Sequence, residues 1–101
     1  MYVAMNRFKI KLGCEEDFIA IWKNRETYLD TVPGFISFDM LQGPSHDEYT
    51  LFASHSVWAS RQAFVDWTES EQFRMAHSGA GNKTKDIYLG PPQFEGFEKV
   101  V

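Results

Sequence analysis

Residues 35–58 read FISFDMLQGPSHDEYTLFASHSVW, and the reading of this stretch decides the architecture. Two runs of period-two alternation, Phe35 to Gln42 and Tyr49 to Trp58, flank the polar segment Gly43-Pro44-Ser45-His46-Asp47. Side chains of an extended strand alternate between faces, so two such runs across a turn-forming segment predict an antiparallel hairpin. On the N-terminal side, Phe18, Ile21, Trp22, Arg25 and Leu29 recur at helical spacing and predict an amphipathic helix over Cys14 to Thr31, stopped by Pro33-Gly34. Glu15, Glu16 and Asp17 place negative charge where a helix N-terminus carries partial positive charge. Before that helix, Tyr2 to Lys11 alternates again. Tyr2, Ala4, Asn6, Phe8 and Ile10 share one face, while Arg7, Lys9 and Lys11 crowd the other beside Val3 and Met5. Gly13 ends this strand.

On the C-terminal side, Ser60 can cap a helix whose apolar stripe is Ala63, Phe64 and Trp67. Continuing its phase would bury Glu71 and Arg74, whereas the apolar phase restarts at Phe73, Ala76 and His77. Two consecutive short helices are therefore predicted. The break falls near Thr68 to Ser70, where Thr68-Glu69-Ser70-Glu71 supplies a Ser/Thr-x-x-Glu capping signature. Gly79 and Gly81 end the second helix, Leu89-Gly90-Pro91-Pro92 turns the chain, and Gln93 to Val101 reads as a last strand. The order β-α-β-β-α-α-β is the α+β, ferredoxin-like split βαβ arrangement. Helices on one sheet face leave the other needing cover, and a second copy of so small a chain supplies it most simply, so a homodimer with sheets face to face is expected.

The composition agrees with one domain over residues 1–101. Of 101 residues 44% are apolar, enough for one core, and nine Phe, four Tyr and three Trp exceed what a core of this size needs. Ten Lys and Arg against 14 Asp and Glu give a net charge of -4, which argues against a nucleic-acid partner and against polybasic attraction to anionic lipid. A lone cysteine, Cys14, excludes an intramolecular disulfide and every multi-cysteine metal pattern. No apolar run approaches the ~18 residues of a membrane span. A cytoplasmic, soluble protein is expected.

Three residues stand out. Asn6 puts a carboxamide on the apolar side of a strand, where it either finds a loop carbonyl or aims a donor into a pocket. His77 shares an apolar helix face with Phe73 and Ala76, and Ser78-Gly79-Ala80-Gly81 follow it. It is either a satisfied, partly buried histidine or an imidazole beside a bulky planar ligand such as haem. Trp67 ends an apolar stripe and by itself reads as a core anchor, as do Trp22 and Trp58. His46 and His55 have no partner at ligand spacing, no serine lies in a Gly-flanked elbow, phosphate loops are absent, and the lack of Cys-x-x-Cys-His excludes covalent haem attachment.

These residues carry a resemblance. The segments Met5-Asn6-Arg7-Phe8, Pro33-Gly34-Phe35, Val57-Trp58-Ala59-Ser60-Arg61-Gln62-Ala63-Phe64, Asp66-Trp67-Thr68-Glu69-Ser70, Phe73 and Ala76-His77 together resemble the antibiotic biosynthesis monooxygenase superfamily of dimeric α/β barrels. Within it the chain is most similar to the IsdG-type haem-degrading monooxygenases, over roughly the first four-fifths of its length. The Pro-Gly-Phe and Trp-x-Ser-x-x-Ala-Phe pieces speak for the fold, and the combination of Asn6, Trp67 and His77 speaks for the activity. The resemblance implies haem as both substrate and oxygen-activating cofactor, an external electron donor, and no flavin or other metal. It also implies that His77 binds the haem iron, that Asn6 hydrogen-bonds the iron-bound oxygen, that Trp67 presses on the porphyrin, and that Trp22 packs against the macrocycle. Residues 82–93 depart from the family pattern. Two alternatives from other classes stand beside this one: a cofactor-free monooxygenase acting on a quinol or polyketide, and a non-catalytic haem-binding protein.

Overall fold

The N-terminal alternation produces β1 (Tyr2–Lys11), an inner strand of a four-stranded antiparallel sheet of order β2-β3-β1-β4. In the computed structural model, residues 1–25, 27–78 and 85–101 are described, apart from the side chains of Gln72, Ala76, His77, Ser78 and Lys85. β3 (Tyr49–Trp58) pairs with β1 in unbroken register from Tyr2 opposite Trp58 to Lys11 opposite Tyr49. β4 (Gln93–Glu98) closes the other side of β1, with Tyr2 opposite Glu98. Residues facing each other across a ladder share a sheet face. Tyr2, Ala4, Asn6, Phe8 and Ile10 therefore lie on the same face as Trp58, Ser56, Ser54, Phe52 and Thr50. That face is the covered one, since nine of these ten residues are buried and Asn6 is half-buried.

β2 (Phe35–Ser45) runs further than the alternation indicated, through Gly43 and Pro44 of the expected turn. It is an edge strand, and a register shift between Gln42 and Ser45 absorbs the proline, which lacks a ladder N–H. The turn narrows to His46–Glu48, with the His46 N–H donating to the Tyr49 carbonyl at 2.7 Å. Gly34 enters β2 at φ +85° with its Cα against Ala63, where an added Cβ would stand 2.5 Å from the Ala63 Cβ.

The first helix is shorter than its periodicity suggested. α1 spans Glu15–Lys23 rather than Cys14 to Thr31. The Asn24 side chain donates back to the Ala20 carbonyl at 2.9 Å, Tyr28 takes a left-handed conformation at φ 60°, and Leu29 reaches the core from a separate 3-10 turn, Leu29–Thr31. Helical spacing persisted in the sequence because Leu29 is a core residue, although another element delivers it.

α2 (Arg61–Thr68) and α3 (Glu71–Ser78) break where the apolar phase broke. Ser60 caps α2 by accepting the Ala63 N–H at 3.1 Å. The cap of α3 is Ser70 rather than Thr68: Ser70 Oγ accepts the Phe73 N–H and donates to the Trp67 carbonyl, while the Thr68 hydroxyl donates to the Val65 carbonyl. A hydroxyl in the last helical turn finds a carbonyl of its own helix before it can serve the next one.

The core under the helices divides in two. Phe8, Ile10, Phe18, Phe52 and Ile87 pack beneath α1, and Tyr2, Ala4, Leu29 and Trp58 pack with Phe64 and Trp67 of α2. Along β1 the sequence passes from the second cluster to the first at Asn6, and along β3 at Ser54 and Ser56. The seam between the clusters is polar on both central strands.

Candidate active site

A cavity of about 520 Å³ opens at that seam. Its floor is the central strand pair, with Ala4, Asn6 and Phe8 from β1 and Ser54, Ser56 and Trp58 from β3. One wall comes from the end of α1 and the residues after it, Trp22, Arg25 and Thr27, with Phe38 of β2 behind. The opposite wall is Phe64, Trp67 and Thr68 of α2 with Phe73 of α3, and Tyr88, Pro92 and Phe94 close the rim. Pockets for small organic ligands are concave, of this size, and mostly apolar with few placed polar groups.

The polar groups are few and specific. The Asn6 carboxamide has no hydrogen bond among the described residues, and only its backbone N–H is committed, to Ser54 Oγ at 3.2 Å. A half-buried amide without a partner is a donor and acceptor held ready for a ligand or water. Its position on the sheet is the one the alternation required.

The tryptophans are set by ring packing. Trp67 meets Phe73 edge-on at 4.8 Å and 85°, and lies 5.4 Å from Trp58, so it belongs to both the core and the cavity wall. Trp22 stacks on Phe38 at 5.6 Å and 21°, and its Nε1 is buried without a hydrogen-bond partner among the described residues. Trp67 thus packs against the core and lines the cavity at once. Trp58 is fully buried beneath the cavity floor, with its Nε1 donating to Ser56 Oγ at 2.9 Å.

Arg25 is the functional candidate that helical spacing concealed. The helix ends at Lys23, and the guanidinium of Arg25 then lies 4.5 Å over the Trp22 ring at the cavity wall. Burial pushes its pKa below the ordinary arginine value, opposed by attraction to Tyr88 across the rim. It stays charged, so the cavity holds a partly desolvated cation suited to a carboxylate.

His77 falls in α3, four residues after Phe73, the interval that places two residues on one helix face. Its side chain lies outside the described residues, as does the whole of the Gly79 to Thr84 stretch that follows. Among the described residues no group of three or more His, Cys, Asp or Glu side chains gathers to hold a bare metal ion. A haem iron needs only one axial residue from the protein, because the porphyrin supplies the rest. The aromatic walls, the unpartnered Asn6 and the half-buried Arg25 fit a flat, largely apolar ligand bearing carboxylates.

Comparison with known proteins bears on this geometry. A family model described as antibiotic biosynthesis monooxygenase matches residues 1–79. The chain is 29% identical over 85 residues to "Heme oxygenase (staphylobilin-producing) 1" of Staphylococcus aureus strain Newman, covering 84% of this chain and 78% of that protein. Its fold is similar to that of the haem-degrader MhuD of Mycobacterium tuberculosis, solved with two haems bound in its active site. The TM-score is 0.75 at 25% identity, over 100% of this chain and 97% of that one. A conserved protein from Methanosarcina mazei Go1 shares the fold at TM-score 0.68 and 12% identity, covering 98% and 92% of the two chains.

Proposed function

Because the chain belongs to the antibiotic biosynthesis monooxygenase family, we propose that it is a haem-degrading monooxygenase, which binds haem as its substrate in the cavity at the seam, opens the porphyrin with O2 and an external reductant, and releases iron. The observation that carries this reading is the placement of an unpartnered Asn6 carboxamide in an aromatic cavity that α3, the helix of His77, helps to wall. The 29% identity to a staphylococcal haem oxygenase supports it.

Bound haem supplies the redox chemistry, the binding and reduction of O2 at iron; the protein supplies ligation, orientation and shape. In this reading His77 would hold the haem iron. Asn6 presents a hydrogen-bond donor from a rigid central strand, where its geometry is fixed before the substrate arrives. Trp67 and Trp22 line the cavity; in this reading Trp67 would press on the porphyrin and Trp22 would pack against it. Arg25 answers a substrate carboxylate at the wall, where its guanidinium stacks on Trp22. The apolar remainder excludes bulk water from the reacting face.

Titration of the purified protein with hemin tests the reading. A Soret band distinct from that of free hemin, saturating at a fixed stoichiometry, is expected. Its absence would turn the assignment toward a cofactor-free member of the family. A band that forms but survives ascorbate in air would indicate a haem-binding protein without turnover.

A further inference from the structure

The inner face of β3 carries three buried hydroxyls, and their hydrogen bonds distinguish them. Thr50 is fully committed: it donates to Glu15 Oε2 at 2.6 Å and shares a 2.8 Å contact with Ser45. Ser56 is also committed, accepting from Trp58 Nε1 at 2.9 Å and donating to the Ala4 carbonyl at 3.2 Å. Ser54 is 6% exposed and differs from both. It accepts the Asn6 backbone N–H, and its own proton has no acceptor among the described residues. A buried hydroxyl proton left without an acceptor is costly, so such protons are found where a ligand or water completes them. Ser54 lines the cavity, and in the ladder it stands directly opposite Asn6. Side chains directly opposite in an antiparallel pair have Cβ atoms roughly 5 Å apart, close enough for two donors to reach one acceptor.

We propose that Ser54 is a second hydrogen-bond donor to the bound substrate complex, addressing the same oxygen-bearing group as the Asn6 carboxamide. The Asn6–Ser54 rung is then a two-donor device built across two paired strands. Ser54 has a double part in it. Its oxygen holds the Asn6 backbone, and its proton reaches the ligand. The inference rests on the haem reading, and its test is arranged so that the two fail separately.

The experiment uses CO as the probe ligand on the reduced hemin complex, with the C–O stretching band read by infrared spectroscopy. A donor aimed at the oxygen of bound CO lowers that frequency by favouring back-donation, and removing the donor raises it. Ser54→Ala is expected to move the band to higher wavenumber. Ser54→Cys, whose S–H is a weak donor, should move it in the same direction. Ser54→Thr should return it toward the wild-type position. The shift should persist in an Asn6→Ala background, because a direct donor does not need the amide. A band unmoved in both Ser54→Ala and Ser54→Cys overturns the proposal. So does a shift that vanishes once Asn6 is alanine, since Ser54 would then act only by holding the Asn6 backbone. If the wild-type protein forms no hemin complex at all, the haem reading itself fails; a normal complex with a silent Ser54 sinks this inference alone.

Discussion

At Asn6 the demands of folding and of chemistry conflict, which is why a single residue there says so much. The carboxamide stands between the two halves of the core and lines the cavity there. Asn6→Ala should keep hemin binding and slow turnover. If one preorganised hydrogen bond is worth roughly 1.4–2.7 kcal/mol in the transition state, degradation slows about 10- to 100-fold. Single-turnover absorbance decay reads this, and a wild-type rate would reduce the amide to a structural role. His77→Ala should abolish tight hemin binding while leaving the melting temperature of the hemin-free protein unchanged; an unaltered Soret titration would remove the histidine from the site. Trp67 sits in two roles at once. Trp67→Ala should destabilise by about 3 kcal/mol and slow degradation, while Trp67→Phe should preserve most of both. Thermal melting with the same decay assay separates them. Asn6 and Trp67 were legible because each violates or ends a pattern that the sequence states plainly. Arg25 was not, because it continues a helical stripe on paper and leaves the helix in space.

At the scale of elements, β1, β3 and the α2–α3 break followed from periodicity because alternation and helical phase are enforced by the sheet they cover, whereas β2 runs on to Ser45 and β4 stops at Glu98, short of the expected Val101. The end of α1 did not, since Leu29 obeys the helical spacing while a left-handed Tyr28 carries the chain to it by another route. One tie holds the start of α1 to the sheet. Glu15 accepts from Thr50 at 2.6 Å and from the Gly13 N–H at 2.9 Å. The Thr50 hydrogen bond, foremost, and the backbone donors hold its pKa below the ordinary glutamate value. A carboxylate with a depressed folded-state pKa stabilises the fold above its unfolded-state value, and that stabilisation is lost as pH falls through the folded one. Glu15→Gln should therefore be less stable than wild type at pH 7, with the gap closing below about pH 4. Urea midpoints at the two pH values check this, and a gap that widened in acid would contradict it. Gly34→Ala should be worse than its size suggests. It forces φ +85° on a residue with a Cβ and drives that Cβ against Ala63, so a loss of more than about 1 kcal/mol is expected in the same assay.

For the molecule as a whole, the uncovered sheet face sets the oligomeric question. Val3 and Met5 of β1 share that face with Leu51 and Val57 of β3, Leu41 of β2 and Phe97 of β4, of which Leu41 and Phe97 are well exposed. A homodimer closing sheet on sheet would bury this patch, and light scattering should give about twice the 11.7 kDa chain mass. Phe97→Lys should halve it. A wild-type protein that scatters as a monomer would end that proposal. The central claim concerns what the cavity does to its ligand. Its most direct test is mass spectrometry of the tetrapyrrole after the hemin complex is given ascorbate in air, with released iron trapped by a chelator. The account predicts an open-chain tetrapyrrole and iron recovered in equal amount to the haem consumed. Intact haem at the end of the reaction, with no chelatable iron, would contradict it.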